Sequence, residues 1–209
     1  MRIAGILVLA VLLLSGCVAV DEAPEGDVPD SSLHFTPEEY PRVDGSTLTI
    51  PFSEAVAAAV MGLPIEEARQ YIFHNTTHNA YVNLIEGNAD IIFVTPPSEE
   101  ELAYAEKLGV ELEVIPMLRD GFVFFVNENN PVNNVAFQDI VDIYSGTITN
   151  WKQLGGEDKE IIAYQREENS GSQTGMLKLV MKDTPMMEAP KEFAGGYREP
   201  LQISLDFEE

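Results

Sequence analysis

The sequence predicts an α/β fold with largely parallel sheets, and three observations carry that prediction. From about Phe35 onward, short β-branched runs alternate with amphipathic helix-forming runs, the order in which parallel strands and crossover helices are laid down. A continuous apolar run, "ADIIFVT" at residues 89–95, is bounded by Pro96 and Pro97 and predicts a strand buried on both faces. The apolar share, 45% of 209 residues, is enough for a packed core.

Taken in order, "YPRVDGST" predicts a short strand running into a glycine turn. "TIPFSEAVAAAVMG" has a proline near its start and Gly62 after its end, the asymmetry of a helix. "LPIEEARQYIF" predicts a second helix, with Pro64 and two glutamates at its positive end. "THNAYVNLIEGN" predicts a third, with Ala80, Leu84 and Ile85 near one face. "PSEEELAYAEKLG" is a capped helix, from Ser98 to a stop at Gly109. "VELEVIPML" and "GFVFFVN" read as strands, and the polar, turn-rich "ENNPVNN" as a boundary between lobes. A helix at "FQDIVDIYSG", a turn at "TNWKQLGG", a strand at "EIIAYQR" and a helix at "SGSQTGMLKLVMK" follow. The division expected is a first α/β lobe at residues 35–127, a partial second lobe at 128–190 and a divergent tail at 191–209 without a clear strand–helix unit. Trp151 reads as a packing anchor, and Met176, Met181, Met186 and Met187 as core filler.

The first twenty residues are a separate object. Arg2, the apolar run at residues 3–14 and the small residues after it have the layout of a secretory signal, with a membrane-spanning helix as the rival reading. The ending Leu14-Ser15-Gly16-Cys17 resembles the bacterial lipoprotein signal, which implies a lipidated Cys17 and a lipid anchor on the extracytoplasmic face of the cell membrane. Cys17 is the single cysteine, so neither a disulfide framework nor a Cys-based zinc site is available. Residues 18–34, rich in Asp, Glu, Pro and Ser, read as a flexible tether.

The charge balance, 12 Lys+Arg against 35 Asp+Glu, argues against a nucleic-acid groove, which needs clustered positive charge. It does not exclude an anion site. The Debye length is about 8 Å at physiological salt, so distant carboxylates are screened and the local field is set by nearby donors.

Residues 166–174 supply such donors. Arg166 ends a predicted strand, Ser170, Gly171 and Ser172 stand where a helix starts, and Thr174 follows. Unpaired N–H groups, hydroxyls and a guanidinium together favour an anion. The plain alternative is an ordinary Ser170 N-cap beside a surface arginine. Three other junctions bear hydroxyls: Ser46 and Thr47 in "DGST", Thr76 and Thr77 in "HNTTHNAY", and Thr95 in "IIFVTPPS". In open parallel sheets ligands bind beyond the carboxyl ends of the strands, the edge these junctions share.

"YPRVDGST", "HNTTHNAYVNLIEGNADIIFVTPPSEEE", "DIYSGTITNWKQLGG" and "IIAYQREENSGSQTGM" resemble the phosphate-binding branch of the periplasmic solute receptors that serve ABC transporters. The resemblance covers residues 40–190. It implies a two-lobed type II periplasmic-binding-protein fold closing on an oxyanion, most simply phosphate, with ABC permease subunits as partners, no cofactor and a monomeric state. Carried over position by position, the ligand-binding residues it implies are Ser46, Thr47, Thr76, Thr77, Thr95, Arg166, Ser170, Gly171 and Ser172. Family members with an aspartate near the Thr95 position use it to accept the proton of hydrogen phosphate. Threonine both accepts and donates, so sulfate and molybdate stay open. The familiar pattern fades after about residue 190, where the family continues, so the expectation is a truncated or frameshifted chain with an incomplete second lobe and weak or absent binding by itself.

Two other classes compete. His74 and His78 are four apart, a spacing used by zinc enzymes, but Asn-Thr-Thr lies between them with no glutamate base and no evident third ligand. No pair of carboxylates marks acid–base chemistry, so an enzyme is not expected. A membrane-tethered sensor or adhesion module retaining the receptor fold is the third reading.

Overall fold

The computed structural model describes residues 33–119, 121–189 and 192–193, the last two by their backbone. The expected signal, Cys17 and most of the tether lie outside the described residues. So does the tail beyond residue 193.

The first half is built around strand β1 (Val43–Gly45), which pairs in parallel with β2 (Ile91–Phe93) in the register Val43↔Ile91 to Gly45↔Phe93. On the other side of β1, Ile72 makes an isolated parallel bridge to Val43. Between the strands run a 3-10 turn (Thr47–Thr49), helix α1 (Ile50–Met61), the short α2 (Ile65–Ala68) with a 3-10 continuation (Arg69–Tyr71), and α3 (Thr77–Ile85). Helix α4 (Glu99–Leu108) follows β2. Gly62 and Gly109 end α1 and α4 in the left-handed region, as expected of stop glycines. At Ser98 a full capping box forms: its hydroxyl accepts from Glu101 N (3.2 Å), and the Glu101 carboxylate accepts from Ser98 N (2.8 Å).

Two apolar clusters hold this half. Val43, Ala57, Met61, Ala68 and Ile72 pack between β1, α1 and α2. Tyr81, Ile85 and Ala105 join α3 to α4, with Ile92 and Val94 against them.

The second half comprises α5 (Phe137–Tyr144), a 3-10 turn (Trp151–Leu154), β3 (Gln165–Arg166), α6 (Gly171–Gly175) and a π-helical stretch (Met176–Met181) that continues α6. It has its own clusters. Val141, Met176, Val180 and Met181 form one, and Ile143, Ile161 and Ala163 form the other, with Trp151 packed on the latter. The methionines and the tryptophan are therefore packing residues here.

Two expectations need correction. The run at residues 89–95 is not buried on both faces: Ile91 is 45% exposed, and among the described residues β2 pairs with β1 alone. "VELEVIPML" and "GFVFFVN" form no strand. From Val114 onward their apolar side chains are exposed, Ile115 by 66%, because no described strand supplies a ladder partner, whereas Val110 and Leu112 pack on the Tyr81 cluster. Glu192–Phe193, within the tail expected to lack a clear strand–helix unit, contribute a two-residue strand β4, parallel to β3 with Arg166↔Phe193 in register.

Candidate functional site

The β1–β2 edge is where the first wall begins. Past Gly45 the ladder continues, with Ser46 N donating to Phe93 O (3.0 Å). Thr49 Oγ1 sits 2.6 Å from the same carbonyl. A Cβ at Gly45 would lie 2.8 Å from Phe93 O and 3.0 Å from Thr49 Oγ1, so only glycine lets this turn close. Ser46 is buried at the start of the turn, 3.4 Å from Thr49 Oγ1, whereas Thr47 is exposed.

Asp44 is the hub of this wall. Its carboxylate is buried and accepts four hydrogen bonds, from Gly45 N (2.7 Å), Asn75 N (3.0 Å), Asn75 Nδ2 (2.9 Å) and Asn83 Nδ2 (2.7 Å). Burial by itself raises its pKa. The side-chain donors Asn75 and Asn83, with the two backbone donors, outweigh that and hold it below the usual carboxylate value.

Thr76 follows Asn75 with φ 74° and ψ 166°. That region is populated almost entirely by glycine, and a β-branched residue there stores about 1–3 kcal/mol. The Thr76 side chain is exposed, with Asn79 Nδ2 at 3.4 Å. Thr77, the first residue of α3, is buried instead. From α3, Tyr81 Oη donates to Thr95 O (2.8 Å), fixing the end of the β2 run against the helix.

The second wall comes from residues 165–175. Arg166 N donates to Gln173 Oε1 (3.0 Å), tying β3 to the first turn of α6. The Arg166 side chain is largely buried, and its guanidinium makes a loose 3.8 Å pair with Glu167. Ser170 is the N-cap: its Oγ accepts from Gln173 N (3.2 Å). The plain cap reading is therefore correct for this residue, although its hydroxyl proton remains a donor. Ser172 is exposed in the first turn.

The walls meet at Gly171. A Cβ there would lie 2.6 Å from Thr95 Oγ1 and 2.9 Å from Thr77 Oγ1. Only glycine brings the start of α6 this close to the two hydroxyls. Thr95 Oγ1 is buried and has no hydrogen-bond partner among the described residues, a costly arrangement unless a ligand satisfies it. Asn169, at φ 65°, bonds to the Glu100 carboxylate, and Lys178 Nζ donates to Pro97 O (2.5 Å). Both contacts join the same two halves.

Of the nine residues singled out from sequence, the structure thus brings Thr77, Thr95 and Gly171 together. It places Ser46 on the adjoining turn and attaches Arg166 and Ser170 to the α6 side. Thr47, Thr76 and Ser172 face outward. Asp44, Asn75, Asn83 and Gln173 were not singled out. The one signal for Asp44 was a carboxylate between a strand and a glycine, where a buried charge needs donors.

The two histidines part company. His74 Nε2 lies 2.8 Å from Ser53 Oγ, and His78 Nδ1 lies 3.2 Å from the buried Glu101. Burial pushes the His74 pKa down, against the partial offset of the Glu54 and Asp44 charges. Among the described residues no group of three or more His, Cys, Asp or Glu side chains is arranged to hold a metal.

Known proteins resemble this chain in part. A phosphate ABC transporter substrate-binding protein from Clostridium perfringens, solved with bound phosphate, superimposes with a TM-score of 0.59 at 25% identity, covering 79% of this chain and 66% of that one. The phosphate-binding protein PstS of Bacillus subtilis is 28% identical over 46% of this chain and 29% of its own length. The corresponding protein of Borreliella burgdorferi is 31% identical over 30% of this chain and 22% of its own. The matches thus span less than a third of either curated relative. A family model described as the PBP superfamily domain matches residues 42–200. With two α/β halves meeting at a hydroxyl-lined junction and a family match over most of its length, the chain belongs to the periplasmic-binding-protein (PBP) superfamily.

Proposed function

We propose that this protein is an extracytoplasmic receptor for a tetrahedral oxyanion, phosphate before sulfate or molybdate, that delivers it to the permease subunits of an ABC importer. The observation that carries the reading is the buried, unpartnered Thr95 hydroxyl beside Thr77 and the glycine at the start of α6. A ligand oxygen there would gain two hydroxyl donors and the N–H groups of the first helical turn. Arg166 would supply the charge from β3. Ser46 and Ser170 would complete the shell, with Thr47, Thr76 and Ser172 at its rim. The names of the relatives, phosphate-binding proteins in each case, support phosphate as the first choice.

The role is binding rather than catalysis, in keeping with those relatives. We assign Cys17 as the lipid anchor that keeps a monomeric receptor at the membrane, with residues 18–34 as its tether.

The reading is tested by calorimetric titration of phosphate, sulfate and molybdate against the domain and an Arg166→Ala variant. Phosphate is expected to bind weakly, and the variant to lose at least about tenfold in affinity, the equivalent of about 1.4 kcal/mol. Equal affinity in the variant would remove Arg166 from the site. No uptake of any of the three anions would overturn the receptor reading.

A further inference from the structure

We infer that Asp44 is the positioning residue of the anion site: by binding Asn75 and Asn83 together it aims Thr77 at Gly171. The inference rests on the receptor reading above, and its argument is geometric.

An unpaired carboxylate in the wall of an anion site is at first sight misplaced. The Asp44 side chain faces the scaffold, however, and both its oxygens are saturated. Oδ1 takes Gly45 N and Asn75 N, and Oδ2 takes Asn75 Nδ2 and Asn83 Nδ2. Four neutral donors from three elements converge on one charge, which makes each bond stronger than its neutral counterpart.

Their placement has a consequence for the site. Asn75 is clamped by both its backbone and its side chain, and Thr76, the next residue, sits in a conformation that threonine avoids. Thr77 comes directly after it. Asn83 lies six residues further along α3 and returns to the same carboxylate, so the helix is fixed at two points and cannot rotate about its axis. The Thr77 hydroxyl is thereby held near the start of α6, where a Cβ at Gly171 would lie within 2.9 Å of it. Apart from the carboxylate, the described contacts of β1 with this segment end at Phe73, whose N–H donates to Val43 O (2.9 Å), three residues before Thr76.

The test is the Asp44→Asn variant, which turns one acceptor into a donor facing the amides of Asn75 and Asn83. Phosphate affinity is read by amide chemical shifts at Thr77 and Gly171, beside the melting temperature without ligand. The expected result is a loss of about tenfold or more in affinity in a protein that remains folded at low temperature. The exchanged pair Asp44→Asn with Asn75→Asp places a carboxylate and an amide across the same gap and is expected to recover most of that loss. A lowered melting temperature with affinity within about twofold of the parent would overturn the inference, because a purely structural role predicts it. If Asp44→Asn does not fold, Asn83→Ala removes one arm alone: weakened binding supports the positioning role, and unchanged binding overturns it. The two readings fail differently. Loss of binding in Arg166→Ala with none in Asp44→Asn removes this inference alone, whereas a parent chain that takes up no anion removes both.

Discussion

Residues 91–93 and residues 112–126 carry similar apolar, β-prone sequence, and the fold treats them differently. Ile91–Phe93 finds β1 in parallel register, and Ile92 and Val94 then pack on α3 and α4. Residues 112–126 find no described strand, and Ile115, Met117, Leu118 and Val123 point outward. Phe122 and Phe124 alone turn toward the second half, Phe122 against Gly175 and Phe124 with its ring 6.2 Å from Tyr144. Strand propensity is thus permission rather than cause. Backbone groups must find a ladder before side chains on that backbone acquire a face to bury.

The contrast is open to breaking by substitution. The largest effect is expected at Ile72, which is 6% exposed in the β1 cluster. Ile72→Ala should cost about 2–5 kcal/mol in chemical denaturation. Ile115→Ala should stay within about 0.5 kcal/mol, and equal losses at the two sites would end the distinction. Next comes the cap that makes α4 a firm floor for β2: Ser98→Ala should cost about 1 kcal/mol. Val123→Lys, on the exposed stretch, should leave the melting temperature unchanged, since Val123 is 75% exposed.

Acid should act on the first half in two steps. His74 is held below its ordinary value of 6.5, so the folded state binds fewer protons than the unfolded one. Its contribution is present above pH 6.5 and declines as pH falls through that value. Asp44 is held below 3.8, so its contribution is complete above that value and is lost on further acidification. Asp44→Asn should remove the second step and deepen the first, because the Asp44 charge is one of the two that partly offset the depression at His74. The smallest effect is expected at Asp90. Paired with Arg42 in the open, it is drawn down to about 2 by hydrogen bonds from the Arg42 side chain and backbone, and its influence on the melting temperature should fade with added salt.

Much of the first half was legible because its signals are local. Ser98, Glu101, Gly62 and Gly109 each act within a turn of their own helix, and the helices stand where those residues place them. The hydroxyl-bearing junctions and the sheet edge they share were legible, but which of their hydroxyls meet was not. That Thr77 and Thr95 meet Gly171 while Thr47, Thr76 and Ser172 turn outward depends on which way each chain leaves its strand. Asp44 was missed for a related reason. Its partners are 31 and 39 residues away, and no local pattern announces a bond over that distance. The fate of residues 112–126 was misread because composition reports what a segment prefers, whereas exposure is decided by the partner it meets.

The central claim is that the Thr77, Thr95 and Gly171 junction is an anion site completed by Arg166. Titration of phosphate into the isotope-labelled chain, followed residue by residue through amide chemical shifts, tests it most directly. Saturable shifts at Thr77, Thr95 and Gly171 that share one binding curve, and that Arg166→Ala suppresses, are the predicted result. Shifts confined to other parts of the molecule, or no shifts as phosphate rises, would contradict it.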